Sequence, residues 1–186
     1  MGGRGGGSGM KKKAGGGGGG SLTSEQAQVQ KNYSEYVDEM EQKISRAEQD
    51  GLALAKQRVD MYKNTSTKTS MLEQMDRSQF AKTEMMKARK DAVKNALNNK
   101  DNLTNEKMNR IEIEAAKQFA SSKVKVPNSY TGKSSPKTPR TVDMREFFSP
   151  DGNPYNYNQR GGIYSAIKRD WGESVARNFK KHNVPE

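Results

Sequence analysis

Residues 24–63 read SEQAQVQKNYSEYVDEMEQKISRAEQDGLALAKQRVDMYK, and their spacing decides the fold. Tyr33, Val37, Met40, Ile44, Ala47, Gly51, Leu54, Arg58 and Met61 follow one another at alternating steps of four and three. Seven of these nine positions are apolar, with Gly51 and Arg58 as the defects. Such a rhythm places an apolar seam along one side of a helix, which then buries that seam against a partner helix. The seam predicted here is Tyr33, Val37, Met40, Ile44, Ala47, Leu54 and Met61. Gly51 weakens the helix by about 1 kcal/mol relative to alanine, or marks a kink or a close helix crossing. Ser21, Thr23 and Ser24 are N-cap residue types, and Glu25 follows where the helix dipole favours an acid.

Outward from this seam the helical pattern continues. Residues 64–70, NTSTKTS, hold no apolar side chain and read as a break or a polar bend. Met71, Leu72, Met75, Phe80, Met85, Met86, Val93, Ala96 and Leu97 then form a looser, methionine-rich stripe, whose flexible thioethers suit irregular packing. Residues 98–102, NNKDN, form a turn. Thr104 caps a third helix, with Glu106 in its first turn and Met108, Ile111, Ala115 and Phe119 as its stripe.

After Ser122 the composition changes. Val124–Lys125–Val126 is a candidate short strand, stopped by Pro127. Residues 127–141, PNSYTGKSSPKTPRT, are basic and proline-punctuated, as in an extended linker. The last segment is aromatic. Phe147, Phe148, Tyr155, Tyr157, Tyr164, Trp171 and Phe179 all fall within it, around a turn cluster at residues 149–154, SPDGNP. Arg160–Gly161–Gly162 precedes one final helix with Ile163, Ile167, Trp171, Val175 and Phe179 at every fourth position. That stripe is too apolar to stay in water. Trp171 is therefore expected to anchor the segment, either on the chain's own methionine-rich helices or on an external partner.

The organisation expected is an elongated all-α protein, a helical hairpin or coiled coil in four parts. Residues 1–23 are a disordered Gly/Lys tether and 24–121 the helical body. Residues 122–141 are a basic Pro/Ser linker and 142–186 a small helical module. Twelve of the 18 glycines lie in the first 20 residues, a density that cannot offset the entropy of ordering.

Charge follows the same divisions. The 186 residues carry a net charge of +11. Residues 1–20 hold four basic side chains and no acid, and 122–186 hold 12 basic and six acidic. The stretch between, 21–121, is nearly balanced at 17 to 16. Cationic ends attract polyanions at long range, more weakly as salt rises. Cations interleaved with aromatics suit nucleic acid, because cations neutralise phosphate while rings stack on bases. They suit a protein groove as well, since Tyr, Trp, Phe, Met and Arg are interface residues. The candidate contact residues are Lys11, Lys12, Lys13, Lys133, Lys137, Arg140, Arg160, Arg169, Trp171, Arg177, Lys180 and Lys181.

Several functions are excluded or disfavoured. The chain has no cysteine, hence no disulfide, thiolate metal site or cysteine nucleophile. Its only histidine, His182, reads as a solvated terminal residue. No metal site or cofactor is expected. No run of 18 apolar residues occurs, so no membrane partner is expected. Gly161–Gly162 beside Arg160 offers helix-start amides to a phosphate, but no Walker or GxGxxG pattern accompanies them. Asp143, Glu146, Asp170 and Glu173 have the chemistry to meet arginines or lysines, though their spacing does not require it. A small nuclease-type effector in 142–186, working through Arg160, Asp170 or Glu173, is the alternative from another class.

The opening MGGRGGGSGM resembles the start of phage and prophage proteins of Gram-positive bacteria encoded among head-morphogenesis genes. Met1, Gly2, Gly3, Arg4, Gly5, Ser8 and Gly9 carry the resemblance. It implies a phage setting, in the bacterial host cytoplasm or the virion. The function expected is a non-enzymatic interaction protein that binds nucleic acid or a nucleic-acid-containing assembly. As such it would be a head-assembly component or an inhibitor of a host nucleic-acid-targeting defence complex. Its helices would self-associate or pair with another phage or host protein.

Overall fold

A computed structural model describes residues 22–64, 70–99, 103–125, 141–156 and 161–183. The first helix, α1, spans Ser24–Asn64. Thr23 and Gln26 cap it reciprocally. The Gln26 backbone N–H donates to Thr23 Oγ1 at 3.2 Å, and the Thr23 backbone N–H donates to Gln26 Oε1 at 3.0 Å. This capping box satisfies two donors that the helix start would otherwise leave open. The helix runs unbroken through Gly51, which is buried.

Helix α2, Ser70–Asn99, and α3, Asn105–Ala120, complete the helical body. The seam of α1 packs within the chain. Val29 and Val37 cluster with Val93 and Leu97 of α2, with Leu103, and with Met108 of α3. The start of α1 thus meets the end of α2, so the two run antiparallel, and α3 returns beside them. Met40, Ile44 and Ala47 are buried as the spacing predicted. Tyr33 and Leu54 are half-buried, while the Met61 and Arg58 side chains lie outside the described residues. Thr104 caps α3 as expected, its Oγ1 accepting from the Lys107 N–H at 3.1 Å.

The charges of the body match across this hairpin. Lys94 donates to Glu41 at 3.1 Å, and Lys87 sits 2.5 Å from Glu48 and 2.7 Å from Glu84. Exposed pairs of this kind each contribute only about 0–1 kcal/mol.

Beyond α3 two short strands pair. Strand β1, Lys123–Lys125, pairs antiparallel with β2, Thr141–Asp143, in the register Lys123↔Asp143, Val124↔Val142 and Lys125↔Thr141. Residues 126–140 lie outside the described set. A 3-10 turn, Met144–Glu146, follows β2, with Asp143 Oδ1 accepting from the Arg145 N–H at 3.1 Å.

This turn delivers the main core contact of the C-terminal segment. Val142, Met144, Phe147 and Phe148 pack with Phe80, Ala81 and Met85 of α2 and Ala116 and Ala120 of α3. The Phe148 and Phe119 rings meet edge to face, with centroids 6.4 Å apart. The turn cluster at 149–154 closes on itself through the Ser149 N–H to Asn153 O at 2.8 Å. Gly152, at φ +78°, lies against α3, where an added Cβ would stand 2.7 Å from Ala116 Cβ. Glycine alone permits both that dihedral and that approach.

The single final helix is corrected to two. Helix α4, Gly162–Trp171, ends at Gly172, and α5, Glu173–Asn183, begins one residue later. Gly172 has φ 91° and ψ 170°, a conformation open essentially to glycine only, and it turns the chain. Of the every-fourth-residue stripe, Ile167, Val175 and Phe179 are buried and Ile163 and Trp171 half-buried. Ile167, Val175, Ala176 and Phe179 form one cluster with Ile163, Tyr164, Tyr155 and Trp171, across the corner between two short helices.

Candidate functional site

The 3-10 turn, the 153–156 loop, α4 and α5 meet α2 around a pocket of about 370 Å³. Its apolar wall is Phe147, Phe148, Pro154, Ile163 and Phe179. Ser78, Lys82, Glu146, Tyr155 and Asn156 supply its polar atoms. The volume lies in the range of small-ligand pockets, which combine an apolar lining with a few convergent polar groups.

Glu146 organises the pocket floor. Its side chain is 2% exposed, and Arg77 of α2 reaches its Oε2 from 3.2 Å. His182 of α5 places Nδ1 3.2 Å from its Oε1. One carboxylate therefore joins α2, the 3-10 turn and the last turn of α5. The expectation of a solvated terminal His182 is corrected accordingly: its side chain is 39% exposed and engaged. A carboxylate this deep remains charged at tolerable cost only when cations and hydrogen bonds compensate it.

Trp171 is fastened inside its own chain. Its indole Nε1–H donates to the Phe148 carbonyl at 2.8 Å, and the half-buried ring packs against both the 80–148 cluster and the α4–α5 cluster. Of the two docking surfaces open to it from sequence, the structure uses the chain's own helices.

The acids near the α4–α5 corner act as ties. Arg169 Nε holds Asp170 Oδ1 at 2.7 Å, and Tyr155 donates its hydroxyl to Asp170 Oδ2 at 3.0 Å. These bonds, the Arg169 one first, hold the Asp170 carboxyl below its usual range. Burial, together with Asp170, pushes the Tyr155 hydroxyl up. Glu173 accepts from Lys168 at 2.7 Å, from Tyr164 at 2.6 Å and from Arg177 at 3.1 Å. Those three donors, Lys168 foremost, lower its carboxyl to about 2. Neither acid has the raised pKa of a general acid poised at neutral pH.

The sequence-predicted contact residues divide accordingly. Arg169 and Arg177 are exposed but each is spanned to an acid within its own helix pair. Lys180 and Lys181 are exposed and make no ion pair among the described residues. Lys11, Lys12, Lys13, Lys133, Lys137, Arg140 and Arg160 lie outside the described residues. Sequence reasoning missed Arg77, Ser78 and Lys82 as partners of the C-terminal segment. It also missed Lys123 and Lys125, which project as exposed side chains from β1 on either side of inward-facing Val124.

Comparison with protein-family models, curated proteins and solved structures finds no match to this chain. No cluster of His, Asp or Glu among the described residues could hold a metal ion. No helix among them is long and apolar enough to cross a membrane.

Proposed function

We propose that this chain is a phage-encoded, non-enzymatic interaction protein that binds nucleic acid or a nucleic-acid-containing assembly. In a phage such a protein serves head assembly, or it inhibits a host complex that targets nucleic acid. It would act in the host cytoplasm or the virion. The observation that carries the reading is where charge stays unmatched. Across the α1–α2 interface Lys87 meets Glu48, and Lys90 and Lys94 meet Glu41. Lys123, Lys125, Lys180 and Lys181 stand exposed with no acidic partner among the described residues. They add to the acid-free basic stretches at 11–13 and 133–140 of the sequence.

The binding expected from this arrangement is largely insensitive to sequence and strongly sensitive to salt. Each duplex phosphate neutralised contributes a slope of about −0.9 in log affinity against log salt. Wild-type protein should be retained on heparin and should shift duplex DNA in a gel at low salt. The double variant Lys123→Glu/Lys125→Glu should elute earlier and bind all sequences more weakly by a similar factor. Triple neutralisation of Lys11, Lys12 and Lys13 should do the same. Wild-type protein that passes through heparin and shifts no nucleic acid at low salt would refute the reading, and the charge would then serve solubility alone.

A further inference from the structure

A basic, aromatic segment offers a nucleic acid two chemistries: rings for bases and cations for phosphate. Among the described residues only the second reaches the surface. None of the ten aromatic side chains described is exposed. Phe80, Phe147, Phe148 and Phe179 are buried in the core. Rings with polar atoms have committed them inside the chain. Tyr36, Tyr155 and Tyr164 donate to Glu112, Asp170 and Glu173, and Trp171 donates to the Phe148 carbonyl.

Cations, by contrast, stand on both sides of one joint. Lys123 and Lys125 project from one face of β1, on either side of inward-facing Val124. Lys180 and Lys181 are exposed in the last turn of α5. The 3-10 turn Met144–Glu146 links the two pairs. At one end the Met144 N–H donates to the carbonyl of Ser122, the residue before β1, at 3.0 Å. At the other end Glu146 Oε1 meets His182, the residue after Lys181, at 3.2 Å. The acids of this joint are already engaged. Asp143, opposite Lys123 in the ribbon, is held through both oxygens by Arg145 at 2.9 and 2.7 Å. Arg77 and His182 occupy the two oxygens of Glu146. The charge of the four lysines is therefore left unneutralised.

We infer that Lys123, Lys125, Lys180 and Lys181 form one surface that takes the phosphate backbone of a duplex in preference to an unpaired strand. A duplex carries one charge per about 1.7 Å of its axis, so cations held on a folded body release counterions from it efficiently. A single strand gains much of its affinity by stacking bases on rings, and this surface presents none. Paired strands lie about 5 Å apart and a 3-10 turn rises about 2 Å per residue, so both lysine pairs fall within one duplex turn of about 34 Å. The inference rests on the nucleic-acid reading above and narrows it to paired strands, bound through the backbone without contacts to bases.

The test is fluorescence anisotropy of labelled duplex DNA, duplex RNA and the matching single strands, titrated with full-length protein over a range of salt. Wild type should bind a duplex more tightly than its own single strand, and the tighter of the two duplexes names the partner. Lys123→Gln/Lys125→Gln and Lys180→Gln/Lys181→Gln change exposed side chains and should leave the melting temperature in place. Each pair should reduce the salt slope for duplex DNA by about 1.8, the share of two phosphates, and the four together by about 3.6. Arg46→Gln/Lys56→Gln removes the same charge from exposed positions on α1 and should leave that slope unchanged. If the single strands bind as tightly as the duplexes, or if the α1 control lowers the slope as much as either lysine pair, this inference is wrong while the broader reading survives. If no nucleic acid binds at low salt, both fall. If polyglutamate of equal charge displaces the duplex at equal concentration, the surface suits an acidic protein and the inference is overturned.

Discussion

Glu146→Ala should destabilise the protein by about 3–5 kcal/mol, the largest loss expected from any single polar residue. Glu146 is 2% exposed and Arg77 is 9% exposed, so removing the carboxylate leaves a guanidinium buried without its counter-ion. It also releases His182 at the end of α5. Urea melts of the full-length variant measure the effect. The mechanism makes a second, sharper statement. The double variant Arg77→Met/Glu146→Leu replaces both charges with apolar groups of similar bulk, so it should cost far less than Glu146→Ala alone. A double variant as unstable as the sum of its parts would show that shape and hydrogen bonding, rather than an uncompensated charge, set the cost.

Phe148→Ala should cost a similar amount, about 3–5 kcal/mol, through a different mechanism. The ring is 2% exposed and sits where α2, α3 and the C-terminal segment converge. Truncation removes its contacts and leaves a cavity that the α2 and α3 backbones cannot readily close. Leu52→Ala is the matching control. Leu52 is 43% exposed, and its truncation should change stability by no more than about 0.5 kcal/mol. Equal, small effects at both positions would mean that the 142–148 segment does not belong to the core.

The helical body was legible in the sequence because its signals are local. A four–three spacing repeated from Tyr33 to Leu54 fixes which face of α1 is buried. A threonine with an acid two residues on marks the start of α3 at Thr104. The C-terminal segment was less legible for physical reasons. Its every-fourth-residue stripe continues in number across Gly172, so periodicity alone gives one helix where the backbone makes two. The available signal was Gly172 followed by Glu173, a helix stop beside an acid that opens the next helix. Strands of three residues are too short to show alternation, so the β1–β2 pairing was hidden. The pocket floor was hidden for another reason: Arg77 and Glu146 are 69 positions apart, and no pattern along the chain links them.

The C-terminal pocket exists only if the C-terminal segment is docked on the chain's own α2 and α3 in the free protein. Trp171 reports on this directly, as the only tryptophan. Its indole is half-buried and donates to the Phe148 carbonyl at 2.8 Å. The decisive measurement is the emission maximum of the isolated, full-length protein without any partner, compared with the same protein unfolded in urea. A maximum to the blue of the unfolded chain, moving red in one step with the melt followed by circular dichroism, is the result expected. A native maximum equal to that of the urea-unfolded chain would place Trp171 in water and contradict the account.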